Sequence, residues 1–204
     1  MAKIKLTKNE LKKQKDSLKM YQRYLPTLIL KKQQLQAEIR LTEVRLRELK
    51  EEKERVDSAF KAWVAVFGEK GFFTTALLKI SRIKTAHGNI AGVAIPVYEG
   101  AEFEVFPYDL ARMPLWLDLA VEKLKAIFLL DLEARIVEEQ RVRLDRELRI
   151  TTQRVNLFEK IKIPQTKDNI KKIQVYLGDQ QTAAVVRGKI AKRGLAKAAN
   201  GGAS

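Results

Sequence analysis

The chain has 204 residues, with 40 Lys and Arg against 25 Asp and Glu, a formal net charge of +15. It has no cysteine and a single histidine, His87, which excludes a disulfide scaffold, a Cys-based zinc site, a Cys nucleophile and any imidazole cluster. No run of about 18 apolar residues is present and the N-terminal MAKIKLTKNELKKQKDS lacks an apolar h-region, so the expectation is a soluble, strongly basic, cytoplasmic protein.

Thr7 followed by Glu10 has capping-box spacing and marks a helix start. From Leu11 a 3-4 repeat runs unbroken to Phe67. Thirteen of its seventeen positions are apolar or aromatic, where composition predicts about eight: Leu11, Leu18, Tyr21, Leu25, Leu28, Leu35, Ile39, Leu46, Leu49, Val56, Phe60, Trp63 and Phe67. A heptad held this long predicts a coiled-coil seam on a rod of about 85 Å. Pro26 removes a backbone donor within it, which predicts a kink.

Residues 68–113 differ in composition and predict a small mixed cap. Ile80, Ile83, Ile90, Val93, Ile95 and Val97 are β-branched, and His87-Gly88-Asn89 carries turn chemistry, so two short strands around a turn at Ala86–Asn89 are expected. A second long helix is expected over 114–193, opening at Pro114. Its seam takes Val137, Leu144, Leu148, Val155 and Phe158, interrupted by Arg141 and Thr151. After Pro164 the phase shifts to Ile170, Ile173 and Leu177, a stutter. Leu129, Leu132 and Ile136 lie off the seam, and this second stripe calls for a partner protein or for the cap to fold back over it. Residues 194–204 read as a disordered tail.

Two long helices joined by a cap return antiparallel. The expected fold is mainly α, a single elongated domain over 1–204: a long antiparallel two-helix coiled coil over 7–67 and 114–193, joined by a cap with a β-hairpin. Leu25 is expected opposite Phe158. The charge is concentrated at the ends: residues 1–32 and 160–204 each carry a net +8, while the middle is near neutral. The pairing brings both ends to one basic pole, which attracts an acidic partner or a polyanion.

Catalytic chemistry is not legible. There is no phosphate-binding Gly-rich loop and no metal-ligand spacing, so no catalytic, cofactor or metal residue is assigned and no cofactor is expected. The carboxylates fall mostly as i,i+4 partners of basic residues: Glu43 with Arg47, Glu51 with Arg55, Asp131 with Arg135, Asp145 with Arg149. A basic coiled coil of this kind also fits a nucleic-acid-binding protein or a free-standing adaptor.

Three stretches carry a family resemblance: TKNELKKQKDSLKMYQRYLPTLILKKQQL at the N-terminus, NIAGVAIP at 89–96, and TTQRVNLFEKIKIP at 151–164. With them the chain resembles the D subunits of the V/A-type rotary ATPases, which form the central rotor shaft. The resemblance implies a non-catalytic component, peripheral to the membrane within a larger complex, that couples ATP synthesis or hydrolysis to proton or sodium transport. It implies that the helix termini enter a ring of A and B subunits and that a small F subunit packs on the flank. It also implies that the cap end meets the socket protein of the membrane rotor, known as C or d. On this reading Lys12, Lys13, Lys15, Lys19, Arg187 and Lys189 meet the catalytic ring, and Leu129, Leu132 and Ile136 meet F.

Overall fold

A computed structural model describes residues 4–67, 78–105 and 116–201; for 60–67, 105, 116 and 197–201 it describes the backbone alone. The expectations placed on the side chains of Phe60, Trp63 and Phe67, and on Pro114, lie outside the described residues. In chain order the elements are α1 (Lys8–Phe67), β1 (Leu78–Ile90), β2 (Val93–Val105), α2 (Trp116–Asn156), a π-helical segment (Leu157–Lys162) and α3 (Ile163–Gly201). The fold is mainly helical: two long helices pack against each other and a two-stranded antiparallel hairpin accompanies them. Two compact units divide the chain, one of residues 1–30 and 152–204, the other of residues 31–151.

In the first unit, Thr7 starts α1: its Oγ1 accepts from the Glu10 N–H at 3.2 Å and its carbonyl accepts from the Leu11 N–H at 3.0 Å. Glu10 turns to Gln14 instead of back to the cap, accepting from Nε2 at 2.8 Å. Leu11, Leu18, Tyr21, Leu25 and Leu28 are half-buried. In the same unit Val155 and Thr166 are buried, Phe158 is half-buried and Ile173 is fully buried. Phe158 stacks at a tilt on Tyr21, with ring centroids 5.1 Å apart; Tyr21 lies one turn before Leu25 on the same half-buried side of α1.

The phase change expected after Pro164 is carried by the π segment before it. Proline cannot donate to the carbonyl four residues back. The wider turn passes that position: the Ile163 N–H bonds to the Phe158 carbonyl, five residues back. The extra residue rotates α3 so that Thr166 and Ile173 fall on the buried side. Thr166 returns its hydroxyl to the Lys162 carbonyl at 2.6 Å. From 178 to 196 every residue is exposed, and α3 continues to Gly201 through the stretch read as a disordered tail.

In the second unit the 3-4 repeat of α1 is the buried side of the helix. Leu35, Ile39, Leu46 and Leu49 are at most 7% exposed, and Thr42, between them, bonds its hydroxyl to the Glu38 carbonyl at 2.8 Å. Val56 is half-buried. Leu46 and Leu49 pack with Val137, Leu130 and Ala134 of α2. Leu35 and Ile39 pack with Leu144, Leu148 and, from the hairpin, Ile95. Among the described residues three ion pairs cross from α1 to α2: Lys31–Glu147 at 2.7 Å, Arg45–Glu133 at 2.7 Å and Lys53–Asp131 at 2.6 Å. Thr151 does not interrupt the packing, being 1% exposed, and Arg141 is held by Glu138 and Asp145 of its own helix. Asp145 is thereby paired with Arg141 and not with Arg149. Of the four expected i,i+4 pairs, Asp131–Arg135 forms, at 2.8 Å.

The hairpin strands are longer than expected and the turn lies later. Its central residues are Ala91 and Gly92, with φ of 50° and 79°, the left-handed pair of a type I′ turn. His87 and Gly88 instead lie within β1, opposite Pro96 and Ile95. Gly88 serves close packing, since a Cβ there would stand 2.8 Å from Val97 Cγ2. Asn89 closes the turn, accepting from the Gly92 N–H at 2.9 Å. Replacing Gly92 by alanine creates no clash, the nearest atom being Lys31 Nζ at 3.9 Å, so Gly92→Ala isolates the backbone cost of a positive φ. It is expected to lower stability by about 1 kcal/mol, measured as a shift in the urea midpoint.

Candidate interaction surfaces

In the first unit, Lys12, Lys13, Lys15 and Lys19 are exposed on α1, and Arg187 and Lys189 are exposed on α3. None of the six has an ion-pair partner among the described residues. Asn9, Lys12, Lys13, Asp16, Ser17 and Met20 line a shallow groove of about 440 Å³. A second, of about 570 Å³, is lined by Val186, Lys189, Ile190, Lys192, Arg193 and Ala196. Ile190 is 65% exposed and Leu195 73%. Apolar side chains thus stand among cations with no ion-pair partner among the described residues, along an exposed stretch of helix at 178–196, an arrangement fitted to an acidic surface with apolar contacts.

In the second unit the off-seam stripe of α2 is largely taken up within the chain. Leu132 is 8% exposed, and Leu129 and Ile136 are half-buried. At the same 3-4 spacing the stripe continues to Gln140 and Arg143, which hold the hairpin. Gln140 Nε2 donates to the Pro96 carbonyl at 2.6 Å, and Arg143 Nη1 donates to the Ala94 carbonyl at 3.2 Å. The hairpin therefore docks on the C-terminal continuation of this stripe, at Gln140 and Arg143. Sequence reading missed Gln140 and Arg143 because they are polar; the signal available was their phase with Leu129, Leu132 and Ile136.

The other flank of the second unit is open. A cleft of about 670 Å³ has Leu46 and Ala134 among its lining, with Arg47, Lys50, Arg135 and Arg141 facing Glu43, Asp131 and Glu138. The Lys53 ammonium, and more weakly Arg135, hold the Asp131 carboxyl below its ordinary 3.8. Arg141 lowers Glu138 in the same way. Carboxylates depressed by folding stabilise the protein above their unfolded values, and that stability is lost as pH falls through the folded values. Acid is therefore expected to weaken the second unit below about pH 4. Lys53→Met is expected to make that loss shallower, read as the urea midpoint between pH 7 and pH 3.

Among the described residues no group of His, Cys, Asp or Glu is placed to hold a metal ion, and no described helix is long and apolar enough to cross a membrane. Paired long helices with a docked hairpin, a buried seam and, among the described residues, cations without ion-pair partners on the terminal segments define a helical, interaction-bearing class of protein. The chain matches the ATP synthase D-subunit family over residues 10–193. It is 51% identical over 197 residues to the V-type ATP synthase D subunit of Borreliella burgdorferi, covering 97% of each chain. It is 35% identical over 200 residues to that of Chlamydia pneumoniae, covering 93% of this chain and 92% of the relative. To that of Chlamydia muridarum it is 34% identical over 193 residues, covering 93% and 95%. The chain belongs to the ATP synthase D-subunit family, the non-catalytic central-stalk component of the V-type rotary ATPase.

Proposed function

We propose that this chain is the torque-bearing shaft between the catalytic A/B ring and the membrane rotor, acting on the cytoplasmic side. The supporting observation is the seam: Leu35, Ile39, Leu46 and Leu49 of α1 are buried with Val137 and Leu144 of α2, so two helices resist twist where one would yield. Lys12, Lys13, Lys15, Lys19, Arg187 and Lys189 face acidic surface of the ring. Exposed charge contacts are weak individually, so they break and re-form as the shaft turns. Unequal contact with successive A/B pairs biases their nucleotide affinities, a coupling by differential binding. The cap end meets the C or d socket protein. The small F protein packs on the flank at Leu129 and Ile136, with Leu132 beneath them.

The test is to attach a bead to a cysteine placed at exposed Thr85 in the assembled complex and supply ATP. Stepwise rotation of the bead is expected; a stationary bead on a complex that hydrolyses ATP would overturn the proposal.

A further inference from the structure

The hairpin docks on the helix pair through Ile95, with Ile90, Ala91 and Val93 packed against the same cluster, and one feature of its dock is unfavourable. Ile95, 4% exposed, enters the cluster of Leu35, Ile39 and Leu144. On either side of it, the Ala94 and Pro96 carbonyls accept from Arg143 and Gln140. Further along β2 comes Tyr98. Its hydroxyl is sealed from solvent and has no hydrogen-bond partner among the described residues. Burial, and after it the charge of Glu133, push the phenol above its ordinary value; Glu133 turns Oε1 to Arg45 Nε and Nη2, at 3.2 and 2.7 Å. A buried hydroxyl left unpaired costs the desolvation of a polar group. That cost is met only while the hairpin is docked, because water satisfies the hydroxyl when the hairpin lifts. Lifting leaves β1 and β2 paired with each other, so the hairpin need not unravel.

We propose that the hairpin is a strap that lifts from the α1–α2 pair and re-docks, with the unpaired Tyr98 hydroxyl lowering the cost of lifting from a docked state that predominates. Docked, Ile95 ties Leu35 and Ile39 of α1 to Leu144 of α2 at one level. Lifted, that level has the two helices alone and less resistance to twist. This mechanical consequence rests on the shaft reading; the lifting itself does not.

The full chain has no cysteine, so His87→Cys with Arg40→Cys, both at exposed positions, accepts two nitroxide labels for pulsed electron–electron distance measurement. The labelled chain is compared with the same chain carrying Gln140→Ala, and with one carrying Gln140→Ala and Tyr98→Phe. Gln140→Ala removes one fastening and is expected to reveal a second, longer distance. Adding Tyr98→Phe removes the unpaired hydroxyl and is expected to reduce that population about tenfold. A single unchanged distance in all three chains would overturn the proposal. So would a longer-distance population that Tyr98→Phe leaves alone or enlarges. The readout involves no rotation, so it separates failure of the strap from failure of the shaft.

Discussion

Leu144→Ala is expected to destabilise the second unit by about 3–4 kcal/mol and to lower its thermal midpoint by about 10 °C. Leu144 is fully buried where three elements meet: Leu35 and Ile39 from α1, Ile95 from the hairpin, and α2 itself. Truncation there loses the transfer energy of the side chain and leaves a cavity bounded by two helices and a strand. Val142, two residues away on the same helix and 52% exposed, is the control: Val142→Ala is expected to change stability by less than about 0.5 kcal/mol. Differential scanning calorimetry of the two variants reads both. Equal midpoints would mean that the three-element cluster does not hold the unit together.

Replacing Lys12, Lys13, Lys15, Lys19, Arg187 and Lys189 together by glutamate is expected to leave the helices folded and to uncouple the motor. All six are exposed and none has an ion-pair partner among the described residues, so circular dichroism should be unchanged. Six exposed contacts at a few tenths of a kcal/mol each sum to about 2–3 kcal/mol. That corresponds to about a hundredfold in affinity, and reversal adds repulsion to the loss. Ions moved per ATP hydrolysed are expected to fall at least tenfold. The unsubstituted complex should lose coupling in part as salt rises, because exposed charges are screened within about 8 Å at physiological ionic strength. Unchanged coupling in the variant would remove the electrostatic part of the proposed mechanism.

The helical architecture is legible in the sequence because a 3-4 repeat is a one-dimensional trace of a buried side. From Leu11 to Val56 every position of the repeat in α1 is buried or half-buried, including the polar Gln14, Lys32, Thr42 and Lys53. The start is legible in Thr7, since a cap is a local hydrogen bond. Events that depend on neighbours distant in sequence are less legible. His87-Gly88-Asn89 carries turn residues, yet the turn is at Ala91–Gly92. There Ala91, despite its positive φ, packs on the Leu35–Leu144 cluster, and Gly88 is needed for close approach to Val97. Pro164 marks a break in phase, but that a π turn at Leu157–Lys162 absorbs it depends on what α3 must bury. The second stripe of α2 is visible in Leu129, Leu132 and Ile136. That the hairpin docks further along the same face rests on Gln140 and Arg143, whose role is bonding to main-chain carbonyls and leaves no hydropathy signal. The basic termini are legible as charge; which surface they meet depends on residues of other chains.

The central claim is that the two long helices pair and turn as one body. A bridge between them tests it most directly. In the assembled complex, Tyr21→Cys and Phe158→Cys replace rings whose centroids lie 5.1 Å apart, and a short bis-thiol reagent joins them. Efficient bridging with ATP hydrolysis and ion pumping at the unbridged rate is the expected result. Cysteines that the reagent fails to join, or a bridge that halts turnover, would contradict it.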